Sequence, residues 1–328
     1  MTKRTRVRID DSNVDGRLAN KAQMLVDLIS PKDLYFIGGR ALAKTSGIIA
    51  QRSQKVIHDM PGSYQMFVSD TYMNALTNVL PALIEGWQRM GWREGIHFVT
   101  DKRPPSHFKL PYKPPLHYKH TISIFNGTFF NLGSLDQPSG LAGSSYQHRF
   151  GDEARLLKKK KLDRSTPALR GEFVRYGHSV YYMGNTFTTD MPNILTSDDD
   201  WILNMEKEMD AEQIELALQA ALVLNDIKRE ILANLQVNNL SEKVRLEKSY
   251  KIWNEYYTRI RKDSVFFYAV SSLVNLDNLT DNYFKSTLKA LYNYLTHSKM
   301  LKKTYFFGLL FFVFQANMYR ILLRWLGS

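Results

Sequence analysis

The run Gly38-Gly39-Arg40-Ala41-Leu42-Ala43-Lys44-Thr45 orders small residues, a lysine and a hydroxyl in a way that can hold a string of phosphates. Small residues let backbone amides close around an anion. A lysine reaches the β- and γ-phosphate oxygens, and a hydroxyl residue at a helix start ligates magnesium where the helix dipole also favours negative charge. Gly38, Lys44 and Thr45 are spaced for these tasks. The residue before the lysine, a glycine in the usual pattern, is Ala43. A Cβ is penalised in left-handed backbone, so the loop is expected to stay tight with Ala43 outside positive φ.

Nucleotide hydrolysis also needs one acid to hold the magnesium shell and another carboxylate to orient and deprotonate the attacking water. Asp152-Glu153, in Phe150-Gly151-Asp152-Glu153-Ala154, is the best adjacent pair, although Tyr146-Gln147-His148-Arg149-Phe150 before it is polar for a buried strand. Taken alone, the pair is uninformative and reads better as a solvated surface pair. His107, His117 and His120 include a His-x-x-His spacing, but they lie in a proline-rich stretch without thiols or further carboxylates, and no metal site is expected there.

These residues need elements to position them. Leu34-Tyr35-Phe36-Ile37 closed by Gly38-Gly39 reads as a buried strand, and Thr45 to His58 returns to helical spacing. Arg17 to Ile29 reads as a helix before this unit. Gln65 to Ser69 is a second strand, and Tyr72 to Met90 a helix that Pro81 kinks or divides. Thr100 to His120, rich in Pro, Lys and His, reads as a long surface loop. Thr121 to Phe125 and Thr128 to Leu132 flank Asn126-Gly127 and form a hairpin. Val180 to Met183 reads as a further strand ending in Gly184. Strands alternating with helices to about residue 195 predict an α/β fold with a mostly parallel sheet.

Among 328 residues the net charge is +12, with basic clusters at Lys3 to Arg8 and Lys158 to Lys161. Such a field suits a polyanion such as nucleic acid or an anionic membrane surface, and it equally suits a solvated surface. The absence of cysteine excludes disulfide frameworks and thiolate metal sites.

The order of these features resembles that of tailed-phage terminase large subunits. Phosphate loops opening Gly-Gly-Arg are common in that family. Its members also have a strand and helix like Met66 to Met90 and a hairpin like Ile122 to Leu132. Segments like Gly133 to Pro138 and Leu141 to Ser144 then lead to Asp152-Glu153-Ala154, and a turn like Gly184-Asn185-Thr186 follows. The resemblance implies a P-loop NTPase domain over residues 1–200, with ATP and Mg2+ as cofactors. It implies that Gly38 to Thr45 hold the nucleotide with Arg40 as a further phosphate contact, that Thr45 and Asp152 hold the metal, and that Glu153 is the catalytic base. Asn185 and Thr186 would sense the γ-phosphate and couple hydrolysis to motion. The implied partners are double-stranded DNA, a phage portal and a small terminase subunit, within a homo-oligomeric ring in the host cytoplasm. An arginine acting on the neighbouring subunit's site would be Arg149, Arg155, Arg164 or Arg170. The alternatives are a helicase- or repair-type ATPase and a catalytically inactive scaffold binding DNA or a portal.

Beyond residue 200 the chain changes character. Residues 201–299 read as a helical subdomain, with long helices from Trp201 to Leu240 and Ser241 to Arg261, and Asp198-Asp199-Asp200 reads as a helix cap. Carboxylates there are scattered, so no two-metal nuclease activity is expected. Residues 300–328 form an apolar tail apart from the family fold. Gln315, Asn317, Arg320 and Arg324 interrupt it, so a membrane span is not expected.

Overall fold

A computed structural model describes residues 19–136, 141, 143–192, 201–271 and 274–275. The first buried run is β1 (Asp33–Gly38), followed by β2 (Tyr64–Ser69), β3 (Phe98–Thr100), β4 (Thr121–Ile124) and β5 (Phe129–Ser134). Then come β6 (His148–Gly151), β7 (Gly184–Thr189) and β8 (Val265–Val270). All join one sheet in the order β3-β4-β5-β2-β6-β7-β1-β8. Pairing is parallel from β5 through β8, and β3 and β4 extend that edge antiparallel. The fold is therefore α/β with a mostly parallel sheet flanked by helices.

Side chains alternate across the strands, so each strand feeds two layers. Leu34 and Phe36 of β1 pack with α1 (Lys21–Ile29) and with Ile214 and Ala217 of α5 (Ala211–Gln236). Tyr35 and Ile37 turn to the other face and meet Trp201 and Ile202. Further along the sheet, Phe67, Phe130 and Phe150 are covered by α2 (Ala50–Asp59) and α3 (Leu80–Arg89). The opposite face there is closed by the segment that includes α4 (Lys159–Ser165), through Leu157, Leu162 and Leu169.

Local chemistry explains most boundaries. Asn20 and Gln23 form a reciprocal capping box that starts α1. Pro81 sits in the first turn of α3, immediately after a widened π-type turn at Ala75–Val79. A proline lacks the N–H that the preceding turn would use, so the expected division of Tyr72 to Met90 falls there. The hairpin turns as expected at Asn126-Gly127: Gly127 has φ +91°, and a Cβ there would stand 2.6 Å from the Leu110 carbonyl oxygen.

Two expectations differ from the fold. Val180 to Met183 is a run of turns and not a strand, and β7 begins where that strand was expected to end. The Ser179 hydroxyl binds both Asp59 and the Tyr181 amide, and the Tyr181 hydroxyl binds Ser30 at 2.6 Å, so these aromatic residues anchor a turn. Residues 201–299 are not wholly helical, because β8 lies within them and pairs with β1. The two long helices are α5, capped by Asp210, and α6 (Leu240–Arg261), capped by Asn239. Asp198 to Asp200, the basic start and the apolar tail lie outside the described residues. Among the described residues no helix is long and apolar enough to cross a membrane.

Candidate functional site

Parallel strands align their C-terminal ends, and loops leaving that edge can converge. The run Gly38 to Thr45 leaves β1 there, Asp152 leaves β6, and Thr188 to Asp190 leave β7, which lies between them. A Cβ at Gly38 would meet Phe36 at 2.5 Å and Leu42 at 2.9 Å, so only glycine lets the chain turn away from the strand at this point.

The loop is held from outside. The Asn20 and Gln23 amides that cap α1 also donate to the Leu42 carbonyl, at 3.4 and 3.3 Å, and the Asn275 amide donates to that of Ala41 at 2.6 Å. Gly47 N–H closes the turn onto the Ala43 carbonyl at 2.7 Å. Within this brace Ala41 and Ala43 both take left-handed backbone, with φ of +65° and +51°. The expectation that Ala43 avoids positive φ is therefore overturned. The surrounding bonds impose a conformation that costs an alanine about 1–2 kcal/mol.

Thr45 Oγ1 donates a short hydrogen bond to Asp152 Oδ2. The other carboxylate oxygen of Asp152 accepts from Thr188 Oγ1 at 2.6 Å and from the Glu153 amide at 2.9 Å. Asp152 is 6% exposed, so its orientation is fixed by these three donors. Glu153 is left-handed at φ +50°, and its side chain, 30% exposed, pairs with Arg155 Nε at 2.9 Å. Lys44 Nζ contacts Asp190 Oδ1 at 2.5 Å and the carbonyls of Gly38 and Gly39 at 3.3 and 3.5 Å. Arg40 reaches the same aspartate, Nε to Oδ2 at 3.7 Å.

The structure thus brings the loop, Asp152 and Glu153 together, and it does not bring Asn185 or Thr186 to them. Those two residues open β7 at the opposite edge of the sheet, beside Asp33 and Leu34. Four residues at about 3.3 Å each put Thr186 roughly 13 Å along the strand from Asp190. Asn185 donates its amide and its side chain to Asp33 Oδ1, each at 2.7 Å, and accepts from Arg149 Nε at 2.9 Å. Thr186 Oγ1 accepts from Arg52 Nε at 2.6 Å and lies 2.8 Å from His148 Nε2. His148 Nδ1 faces the Tyr181 carbonyl at 2.8 Å and so carries the proton. Burial, with Arg52 nearby, holds His148 neutral far below its ordinary pKa, while burial pushes the Asp33 carboxyl up.

This network also explains the polar strand before Asp152. Gln147 bonds the Tyr64 amide, and Arg149 donates to the Leu162 carbonyl at 3.2 Å and to Ser165 at 2.8 Å. Arg149 is 5% exposed and its pKa is pushed down to about 10 by burial, so it is committed within this chain. Of the other arginines, Arg155 stands beside Glu153, and Arg164 and Arg170 are exposed. Lys158 to Lys161 lie at the surface, with Lys161 paired to Asp136 at 2.5 Å and Lys159 to Asp163. His120 stacks on Tyr72 at 3.6 Å, and among the described residues no three His, Asp or Glu side chains are grouped to hold a metal ion.

Thr188, Thr189 and Asp190 are the site residues that sequence reasoning missed. Thr188 reaches Asp152, Thr189 Oγ1 accepts the Arg155 amide at 3.1 Å, and Asp190 holds Lys44. The available signal was Thr-Phe-Thr-Thr-Asp, a β-favouring run ending in an acid.

No protein-family profile matches the chain, and no curated protein matches it. Among solved structures, the large terminase of a thermophilic bacteriophage is similar over 53% of this chain and 39% of its own length, at 12% identity and a TM-score of 0.37. The chain thus spans about two fifths of that terminase. The ATPase domain of a Thermus phage large terminase is similar over 60% of this chain and 80% of its own, at 16% identity and a TM-score of 0.35. The first phage's protein in complex with ATP-gamma-S is similar over 53% and 38%, at 12% identity and a TM-score of 0.35.

Proposed function

We propose that this chain is a magnesium-dependent ATPase of the kind that packages DNA into a phage shell, the ATPase part of a terminase large subunit. The observation that supports it most is the contact between Thr45 and Asp152, which are 107 residues apart in sequence. A hydroxyl and a carboxylate that meet beside a lysine-bearing loop are hard oxygen donors of the kind magnesium takes next to nucleotide phosphates.

ATP with magnesium supplies a transferable phosphoryl group with a cation beside it. The backbone of Gly38 to Thr45 encloses the phosphates, and Lys44 neutralises them, with Arg40 as a second cation. Thr45 and Asp152 would hold the magnesium ion, and Thr188 fixes Asp152 through its hydroxyl. Glu153 accepts the proton of the attacking water once Arg155 yields its carboxylate. In the coupling role expected of Asn185 and Thr186 we place Thr188 to Asp190, which stand at the correct edge of the sheet. Duplex DNA is the proposed track, and the net charge of +12 suits it. The proposed setting is a homo-oligomeric ring on a portal, with a small terminase subunit, in the host cytoplasm.

ATP turnover measured with and without duplex DNA tests this reading. Magnesium-dependent turnover that duplex DNA stimulates is expected. Lys44→Ala should lose nucleotide affinity. Binding without any turnover would favour the inactive scaffold, and turnover that only single strands stimulate would favour the helicase- or repair-type enzyme.

A further inference from the structure

The Lys44 ammonium is engaged by a carboxylate that belongs to neither member of the Asp152-Glu153 pair. Its ion pair with Asp190, at 2.5 Å, leaves the two side chains only 11% and 16% exposed. The same carboxylate lies 3.7 Å from Arg40. Lys44 is also folded back onto the Gly38 and Gly39 carbonyls, over the root of the loop. One anionic group thus draws on both cations of the loop, as a terminal phosphate would. A phosphate and a carboxylate cannot share that seat, because two anions within a few ångströms in a shielded place repel strongly.

We propose that Asp190 is a built-in competitor for the phosphate seat: it holds Lys44 and Arg40 in the nucleotide-free protein and is displaced by the polyphosphate. The proposal rests on the nucleotide reading above and names the residue that sets its affinity. Binding pays for the displacement, so the measured affinity is lower than that of a loop with an unopposed lysine. Displacement also carries information. Asp190 directly follows Thr188, which holds Asp152, and Thr189, which accepts the Arg155 amide. Release of the aspartate is therefore felt at the metal carboxylate and at the residue paired to Glu153.

The test is equilibrium binding of a fluorescent ATP analogue with magnesium to the full chain. Wild type is compared with Asp190→Asn, Asp190→Glu and both changes in a Lys44→Ala background. Asp190→Asn is expected to bind about tenfold tighter, and Asp190→Glu, which keeps the charge, to stay near wild type. In the Lys44→Ala background, titrated to millimolar analogue so that the weakened binding is still read, the gain from Asp190→Asn should shrink to the smaller part that Arg40 supplies. A merely structural role for Asp190 would not shrink with the loss of Lys44. If wild type binds and Asp190→Asn binds equally or more weakly, the competitor role is wrong while the nucleotide reading stands. If neither binds the analogue at millimolar concentration, the nucleotide reading fails, and this proposal with it. Thermal melting of each variant shows that it is folded, and Asp190→Ser replaces Asp190→Asn if the latter melts early.

Discussion

The same three strands, β1, β6 and β7, carry polar residues at both ends, and the two ends behave differently. At the N-terminal edge Asp33, Asn185, Arg149, Thr186, Arg52 and His148 bond to one another and to nearby carbonyls, and all but Asp33 and Asn185 are fully buried. At the C-terminal edge Thr45, Asp152 and Thr188 are also bonded, but Glu153, Arg155 and Arg40 are partly or largely open to solvent. Left-handed non-glycine backbone occurs at both edges, at Ser30, Met183 and Asp263 beside the first and at Ala41, Ala43 and Glu153 at the second, so exposure and not strain separates them. A network buried and bonded largely within itself, with Arg52 Nη1 left without a partner, is poorly placed to take a ligand. A half-open one has donors and acceptors whose present partners can be exchanged.

The contrast can be broken from either side. The largest effect is expected at the closed edge. Arg149→Ala removes the donor shared by Asn185 and the α4 carbonyl, and should cost about 3 kcal/mol or more in a urea titration. A loss below about 1 kcal/mol would mean that the network is dispensable. At the open edge Glu153→Gln should leave stability within about 0.5 kcal/mol, keep ATP bound and lower turnover by at least ~100-fold, the scale of a removed general base. Equal turnover in the two proteins would remove Glu153 from the chemistry.

The third prediction sharpens the closed side. His148 has a folded-state pKa far below its unfolded value, so its contribution is fully present above about pH 6.5 and is lost as pH falls towards the folded value. Asp33 acts in the opposite sense: its folded pKa is raised, so its burial weighs against folding once pH rises through that value. Below pH 6.5 stability should fall by up to about 1.4 kcal/mol per pH unit from His148, and His148→Gln should flatten that slope. A slope unchanged by the substitution would place the acid sensitivity elsewhere. The smallest effect is expected from Ala43→Gly. It relieves about 1–2 kcal/mol of left-handed strain and returns about 0.4–1 kcal/mol through the freer unfolded chain. A rise in melting temperature worth between nothing and about 1.6 kcal/mol is expected, and a clear fall would show that Ala43 is not strained.

The legible parts of this chain were those whose chemistry is local. The loop residues, the Asp152-Glu153 pair, the Asn126-Gly127 turn and the break at Pro81 each follow from neighbours in sequence. What escaped depended on distant partners. Val180 to Met183 has a strand's composition, but the Tyr181 hydroxyl meets Ser30, its carbonyl meets His148 and the Tyr182 hydroxyl donates to the Gly171 carbonyl, all from elsewhere in the chain. Setting β7 four residues early put the expected coupling residues, Asn185 and Thr186, at the far end of the strand from the loop. Val265 to Val270 follows a helix of 22 residues, and only its pairing with β1 reveals it as part of the sheet. His148 and Arg149 looked too polar for a central strand because their partners, Thr186, Asn185 and Ser165, cannot be paired with them by spacing alone.

The position of β8 has a consequence for how the protein is made. Both neighbours of β1 arrive late: β7 at residues 184–189 and β8 at residues 265–270. A chain growing from its N-terminus therefore carries the phosphate loop on a strand with two bare edges until β7 emerges, and with one bare edge until more than two hundred further residues have been added. Contacts of that sequence separation form slowly, and a bare apolar strand invites pairing with other chains. A fragment ending at residue 200 would hold every proposed catalytic group and still leave one flank of β1 exposed. Such a fragment should aggregate during expression, whereas extending it through Val270 restores the missing flank and should return it to the soluble fraction.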